Sequence, residues 1–314
     1  METEAAQPTV EAKTGRPSLW KLSGVSYRAL AGRVWLEVYE GTLLTHAAAL
    51  AFYFFLALFP LMLFLITVLG FFAEAGSALR ESMLSTLSRI IPRTASALIY
   101  TTVDEIRHNA DGGKLSFGIV TALWIASSGI VAVTDALNAM YGVRESRPWW
   151  KVRLAALGLT VALAVLILSA LLSILYGGEF GTAATHYFSQ SRDFVSFWVI
   201  AQVPLVLAFV LLTFAMIYYF APNLYDQKWY WITPGSIVGI IIWLAASLVF
   251  RLYLRYFDSY SVTYGALGAV IVLMLWFYLT GFSILLGGKI NAEIENAAAE
   301  LGIEGAKQHG QKTA

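Results

Sequence analysis

Between His46 and Glu74 the chain reads AAALAFYFFLALFPLMLFLITVLGFFA, with no charged side chain anywhere in it. As an α-helix, residues 47–73 would rise roughly 40 Å at 1.5 Å per residue, more than the ~30 Å hydrocarbon core of a bilayer. A soluble helix of that length needs a polar face, and this one has none to offer. In lipid the backbone groups must be satisfied within the segment itself, so the run dictates a membrane-spanning helix.

Five further stretches have the same character: about 115–141, 154–178, 194–225, 229–250 and 259–288. With 58% hydrophobic and only 13% charged residues, the chain lies far outside soluble usage. The expected fold is all-α: a polytopic membrane protein with six transmembrane helices. Pro60 and Pro204 fall inside the first and fourth spans, where proline is expected to kink a helix. Gly235 and Gly239, four residues apart, and Gly265, Gly268, Gly281, Gly287 and Gly288 point to close helix packing in spans five and six.

The remaining segments sort by polarity. Residues 1–18 are polar and carry Pro8, Gly15 and Pro17, which predicts a disordered tail. From 19 to 45, Leu22, Val25, Leu30, Val34, Val38 and Leu43 recur loosely at helical spacing, as on a helix lying at the membrane surface. Segment 74–114 spaces Leu79, Met83, Leu84, Leu87, Ile90 and Ile91 helically. It breaks at Pro92 and resumes at Leu98, Ile99, Thr102 and Ile106, so an outer loop of two amphipathic helices is expected. A tail follows at 296–314, beyond a membrane domain at 46–295.

Orientation follows from lysine and arginine in the short loops. Lys13, Arg16, Lys21, Arg28 and Arg33 precede span one, and Arg144, Arg147, Lys151 and Arg153 lie between spans two and three. The loop between spans three and four holds only Arg192. Both ends are therefore expected on the cytoplasmic side, with the five positive charges of 74–114 outside in a loop long enough to weaken their effect.

Much chemistry is excluded at this level. The chain has no cysteine, hence no disulfide, thiolate metal site or cysteine nucleophile. His46, His108, His186 and His309 are scattered, none at metal-ligand spacing with a second ligand, so no metal or other cofactor is expected. A phosphate-binding glycine loop with its lysine is missing, which argues against nucleotide-driven pumping. A net charge of +1 gives no basic face for nucleic acid. No enzymatic constellation is expected, membrane lipids are the expected partners, and the sequence carries no signal for an oligomeric state.

The polar residues that remain are candidate substrate-path groups. Asp135 interrupts span two and Asn138 follows one turn later; ionisable groups within a span are expensive unless paired or hydrated. The alternative is that Asp135 marks where the helix leaves the lipid. Arg251 and Arg255 share a helix face amid Tyr253, Tyr256 and Tyr260 and could grip a lipid phosphate, or simply snorkel at the boundary. Asn223 and Asn291 complete the set.

Several ordered motifs resemble the YihY/BrkB family of bacterial inner-membrane proteins, once labelled ribonuclease BN. They are HAAALAFYFFLALFP, FGIVTALWIASSG leading to DALNAMYGV and Arg147, YYFAPN ending at Asn223, Pro234-Gly235, YGALG from Tyr264, and LWFYLTGFSILLGGKINAEIE. The resemblance covers most of 40–295 and implies a six-span envelope protein with both ends inside. Where the family commonly has an acidic residue in its closing motif, this chain has Lys289. The function expected is to move, or help move, a lipid-like or amphiphilic substrate in envelope maintenance. The alternatives are a scaffold for envelope proteins held through 74–114 and, on the family's old label, a tRNA-processing ribonuclease.

Overall fold

In the computed structural model the described residues are 26–73, 112–188, 192–224, 229–256 and 260–300, and they form seven α-helices with no strand among them. These are α1 (Tyr27–Tyr39), α2 (Thr42–Ala73), α3 (Gly112–Tyr141), α4 (Trp149–Phe188), α5 (Arg192–Phe220), α6 (Pro234–Tyr256) and α7 (Tyr260–Glu300). Helices α2 to α7 each contain a stretch long and apolar enough to cross a membrane, which makes six candidate spans. The expected polar tail at 1–18 and the expected amphipathic loop helices between 74 and 111 lie outside the described residues.

Several boundaries differ from the sequence expectation, for local reasons. The surface segment becomes a separate short helix, α1, because the chain turns at Gly41 with φ of +81° before α2 begins. α4 starts at Trp149, so Lys151 and Arg153 sit within its opening turns and not in the preceding loop. α6 starts only at Pro234, where Thr233 and Ser236 cap each other. The Ser236 N–H donates to Thr233 Oγ1 (3.0 Å) and the Thr233 N–H to Ser236 Oγ (2.9 Å), with proline at the first helical position. α7 continues to Glu300, well past the apolar run ending at Gly288. Both α2 and α5 run on through their internal prolines.

Helix α2 packs most extensively against α3 and α7; α6 lies along α7, α4 along α5, and α3 bridges to α4 and α7. α5 meets α6 only slightly, and α1 rests on α7 and α2. The α6–α7 crossing needs glycine. A Cβ on Gly287 would collide with the Gly235 carbonyl oxygen and the Tyr218 hydroxyl, and one on Gly235 with the Gly287 carbonyl. Close backbone approach of this kind is what small residues permit in membrane bundles.

The core is concentrated at one end of the bundle. Leu43, Leu50, Val133, Leu137, Met140, Leu159, Phe214, Ile217, Tyr218, Ile240 and Leu285 form it. All of these lie in the half that carries α1, the Gly142–Pro148 loop and the last turns of α7; this half is called the closed end here. In the other half, no residue between Ile200 and Thr213 of α5 or between Ile241 and Leu254 of α6 is buried. Of an 18-residue apolar stretch within each span, 39% of residues are buried in α3, against 17% in α5 and 11% in α6.

Candidate functional site

The closed end is held by two polar assemblies, the first half-buried and the second centred on buried Asn291. The first grows from the end of α3. Gly142 adopts φ of +62°, its N–H donates to the Ala139 carbonyl (3.0 Å), and the Val143 N–H donates to the Asn138 carbonyl (2.9 Å). This Schellman turn, which requires the left-handed region that glycine enters freely, sends the chain back along the helix it has just left. Glu145 thereby comes within reach of Asn138, whose Nδ2 donates to Glu145 Oε2 (2.9 Å).

Arg147 completes the assembly. Its Nε and Nη2 donate to the two carboxylate oxygens of Glu145 at 2.8 and 2.7 Å. Nη2 also donates to the Ala221 carbonyl at 2.9 Å. That carbonyl lies just past the end of α5, where Pro222 stops the helix and leaves acceptors without intrahelical donors. From the other side the Asn223 N–H donates to Asn138 Oδ1 (2.7 Å), and Asn223 Nδ2 donates to Ser146 Oγ (2.8 Å) and the Arg144 carbonyl (3.1 Å). The α3–α4 loop is thus pinned to the end of α5. Burial by itself would raise the Glu145 carboxyl, but the hydrogen bonds from Arg147 and Asn138 outweigh it and hold the group below the ordinary carboxylate range.

The second assembly joins α6 and α7. Asn291 Oδ1 accepts from the Gly235 N–H (2.9 Å), its Nδ2 donates to Thr233 Oγ1 (3.0 Å), and it shares a hydrogen bond with the Tyr141 hydroxyl. Above it the Tyr218 hydroxyl donates to the Ile284 carbonyl (2.8 Å). Toward the end of α7, Lys289 pairs with Glu293 at 3.2 Å, and both side chains are only 11% exposed. Arg33 of α1 lies 3.7 Å from Glu293 and donates to both oxygens of Glu300 at 3.1 and 2.9 Å. The hydrogen bonding to Glu300 raises the Arg33 guanidinium further above its ordinary value.

Of the six residues expected from the sequence, the structure brings Asn138 and Asn223 together and sets Asn291 in the neighbouring assembly. All three amides bond to protein groups. Asp135 stands apart from Asn138: it is exposed on α3 while Asn138 is 4% exposed. Glu145 and His46 interact with it electrostatically. Arg251 is exposed near the far end of α6, and the side chain of Arg255 lies outside the described residues. Sequence reasoning missed the Glu145–Arg147 pair and the Arg33–Glu293–Glu300 contact. Their signal was available in the i, i+2 spacing of opposite charges after a glycine and in the i, i+4 Lys289–Glu293 pair.

Among the described residues no group of three or more histidine or acidic side chains is placed to hold a metal. The fold and the closed end define a polytopic α-helical membrane protein of six spans. The chain belongs to the BrkB (YihY) family, whose sequence model, described as virulence factor BrkB, matches residues 34–311. It is similar to the ribonuclease-like protein YfkH of Bacillus subtilis, 38% identical over 249 residues, 78% of this chain and 88% of that one. It is also 24% identical to a UPF0761 membrane protein of Tolumonas auensis over 85% of each chain. A UPF0761 membrane protein of Ralstonia nicotianae is 27% identical over 81% of this chain and 56% of its own length. No solved structure matches.

Proposed function

We propose that this chain accepts an amphiphilic, lipid-like substrate into the far half of its bundle and moves it, or helps to move it, in maintaining the bacterial envelope. One observation carries the reading: the bundle is tightly packed at one end and nearly without buried residues on α5 and α6 at the other. Helices that fail to close on one another offer a lateral opening to lipid, and α5 meets α6 only slightly. Asn138, Asn223 and Asn291 then serve as the fastening of the closed end. Asp135, exposed within the α3 span, and Arg251 and Arg255 at the far end of α6 are the polar points for a headgroup.

The lysine and arginine distribution supports an inner-membrane location with the closed end, and both termini, on the cytoplasmic side. The substrate would then enter from the outer leaflet. Segment 74–114 remains the place to seek envelope protein partners.

The test is reconstitution of the purified full chain into liposomes, following a fluorescent phospholipid between leaflets and to acceptor vesicles. Protein-dependent movement, reduced at least several-fold in Asp135→Asn or Arg251→Ala, is the expected result. Movement no faster than in empty liposomes would remove the transport reading.

A further inference from the structure

Arg153 is the fifth residue of α4 and lies within its membrane span. Its guanidinium reaches across to α3, with its central carbon 4.2 Å from the centre of the Trp124 ring. Nη1 and Nη2 donate to Ser128 Oγ at 3.3 and 3.4 Å, and Nη2 donates to the Trp124 carbonyl. That carbonyl is roughly 25 Å along α3 from Tyr141 and about 9 Å from Gly118 at the other end of the α3 span.

Among the described residues no acidic side chain pairs with it, and its Nε is buried with no hydrogen-bond partner. No acidic residue occurs from Leu115 to Thr134 of α3 or from Trp149 to Gly178 of α4. Neighbouring side chains add positive charge and interfacial aromatics: Lys151 lies 5.5 Å over the Trp150 ring, and Trp149, Trp150 and Trp124 are 73%, 48% and 45% exposed. A hydroxyl, a carbonyl and a ring face orient a guanidinium but leave its formal charge uncompensated in a low-dielectric setting.

We infer that the α3–α4 groove at Arg153 binds the phosphate of an anionic glycerophospholipid. The guanidinium supplies the counter-charge and the one Nη1–H that the protein leaves unengaged, and Trp124 forms the apolar wall for the chain beyond it. This goes beyond the reading above: it gives a lipid class, acidic in preference to zwitterionic, to a site on α3 and α4, away from the α5–α6 opening.

Binding is measured apart from movement: the purified full chain in detergent is titrated with phosphatidylglycerol or phosphatidylcholine and bound lipid is counted by native mass spectrometry. The wild type should favour phosphatidylglycerol by roughly tenfold, the scale of one charge-assisted hydrogen bond. The preference should collapse in Arg153→Gln and survive in Arg153→Lys. Should Arg153→Gln not fold, Trp124→Leu keeps the charge but removes the ring, and a several-fold weakening is expected. An equal preference in Arg153→Gln, in Trp124→Leu where that variant replaces it, or no preference in the wild type, overturns the site. Displacement of the lipid by excess glycerol phosphate would reassign the cation to a soluble phosphate ester and overturn the lipid assignment. If the preference holds while liposomes show no movement, the site stands and the transport reading falls.

Discussion

Along α5 the four residues Phe214, Ala215, Ile217 and Tyr218 are buried, whereas Ile200 to Thr213 are not. The same change of character occurs along α6, where Ile240 is buried and Ile241 to Leu254 are half-buried or exposed. One end of the bundle is fastened by glycine crossings and polar groups bonded within the chain. At the other, α6 packs on α7 through Trp243 and Phe250 against Trp276, and many side chains of α5 and α6 are exposed apolar surface. Lipid solvates apolar surface as well as a neighbouring helix does, so apolar runs alone give no reason for helices to associate. Association is specified where backbones approach closely and hydrogen bonds cross between helices, and those features are densest at the closed end.

Mutations that obstruct the crossing should have the largest effect. Gly287→Leu drives a side chain into Tyr218 and the backbone at Gly235; it should cost about 3 kcal/mol or more, on the overpacking scale. Gly158 has open space around its would-be Cβ, so Gly158→Leu should shift stability by no more than about 0.5 kcal/mol, as surface substitutions do. Thermal unfolding of both variants in detergent checks the contrast. Equal melting temperatures would mean that the α6–α7 crossing is not tightly packed.

Asn138→Ala comes next. It leaves the Asn223 N–H without its acceptor and Glu145 without one donor, a loss of about 2 kcal/mol on the scale of unsatisfied buried groups. A melting temperature like that of the wild type would show that the loop is held by packing alone.

The acid response of the same assembly is smaller. The Glu145 carboxyl is held below its ordinary value in the folded chain, so the ionised form is the one folding favours. Its stabilisation is complete above the ordinary glutamate value of about 4.3 and is lost as pH falls through the lower folded value. Glu145→Gln should therefore flatten the acid limb of the melting temperature against pH and leave its shape near neutrality unchanged. An unaltered acid limb would remove Glu145 from the account.

Smallest should be Leu248→Ala on the far half of α6, where the side chain is 60% exposed. Melting should move by less than about 0.5 kcal/mol. A loss on the core scale would mean that this surface is covered.

The sequence disclosed the six spans because uncharged length is a one-dimensional property that a bilayer imposes directly. It also pointed to close packing in spans five and six through their glycines, though not to Gly235 and Gly287 as the pair that meet. It did not disclose the partners of the polar residues. Asn138 and Asp135 look alike on a helical wheel, one turn apart, yet one is buried against Glu145 and the other exposed. What separates them is the return of the chain at Gly142, a long-range consequence of one left-handed residue. Lys151 and Arg153 read as loop charges because position relative to a span, and not the direction of a side chain, is all that a charge count records. The expected path residues are legible as polar; whether each faces a substrate or a neighbouring helix is a property of packing.

The difference in closure can be measured directly, because the chain contains no cysteine and single cysteines report one position each. With a nitroxide attached at Gln202 or Ser247 in the far half, or at Ala136, Ala215 or Ile240 in the closed half, collision with oxygen dissolved in the bilayer would be followed by electron paramagnetic resonance in reconstituted liposomes. Oxygen concentrates in hydrocarbon and meets a label freely only where lipid reaches it. The account predicts several-fold more collision at 202 and 247 than at 136, 215 and 240; uniform protection of all five positions would contradict it.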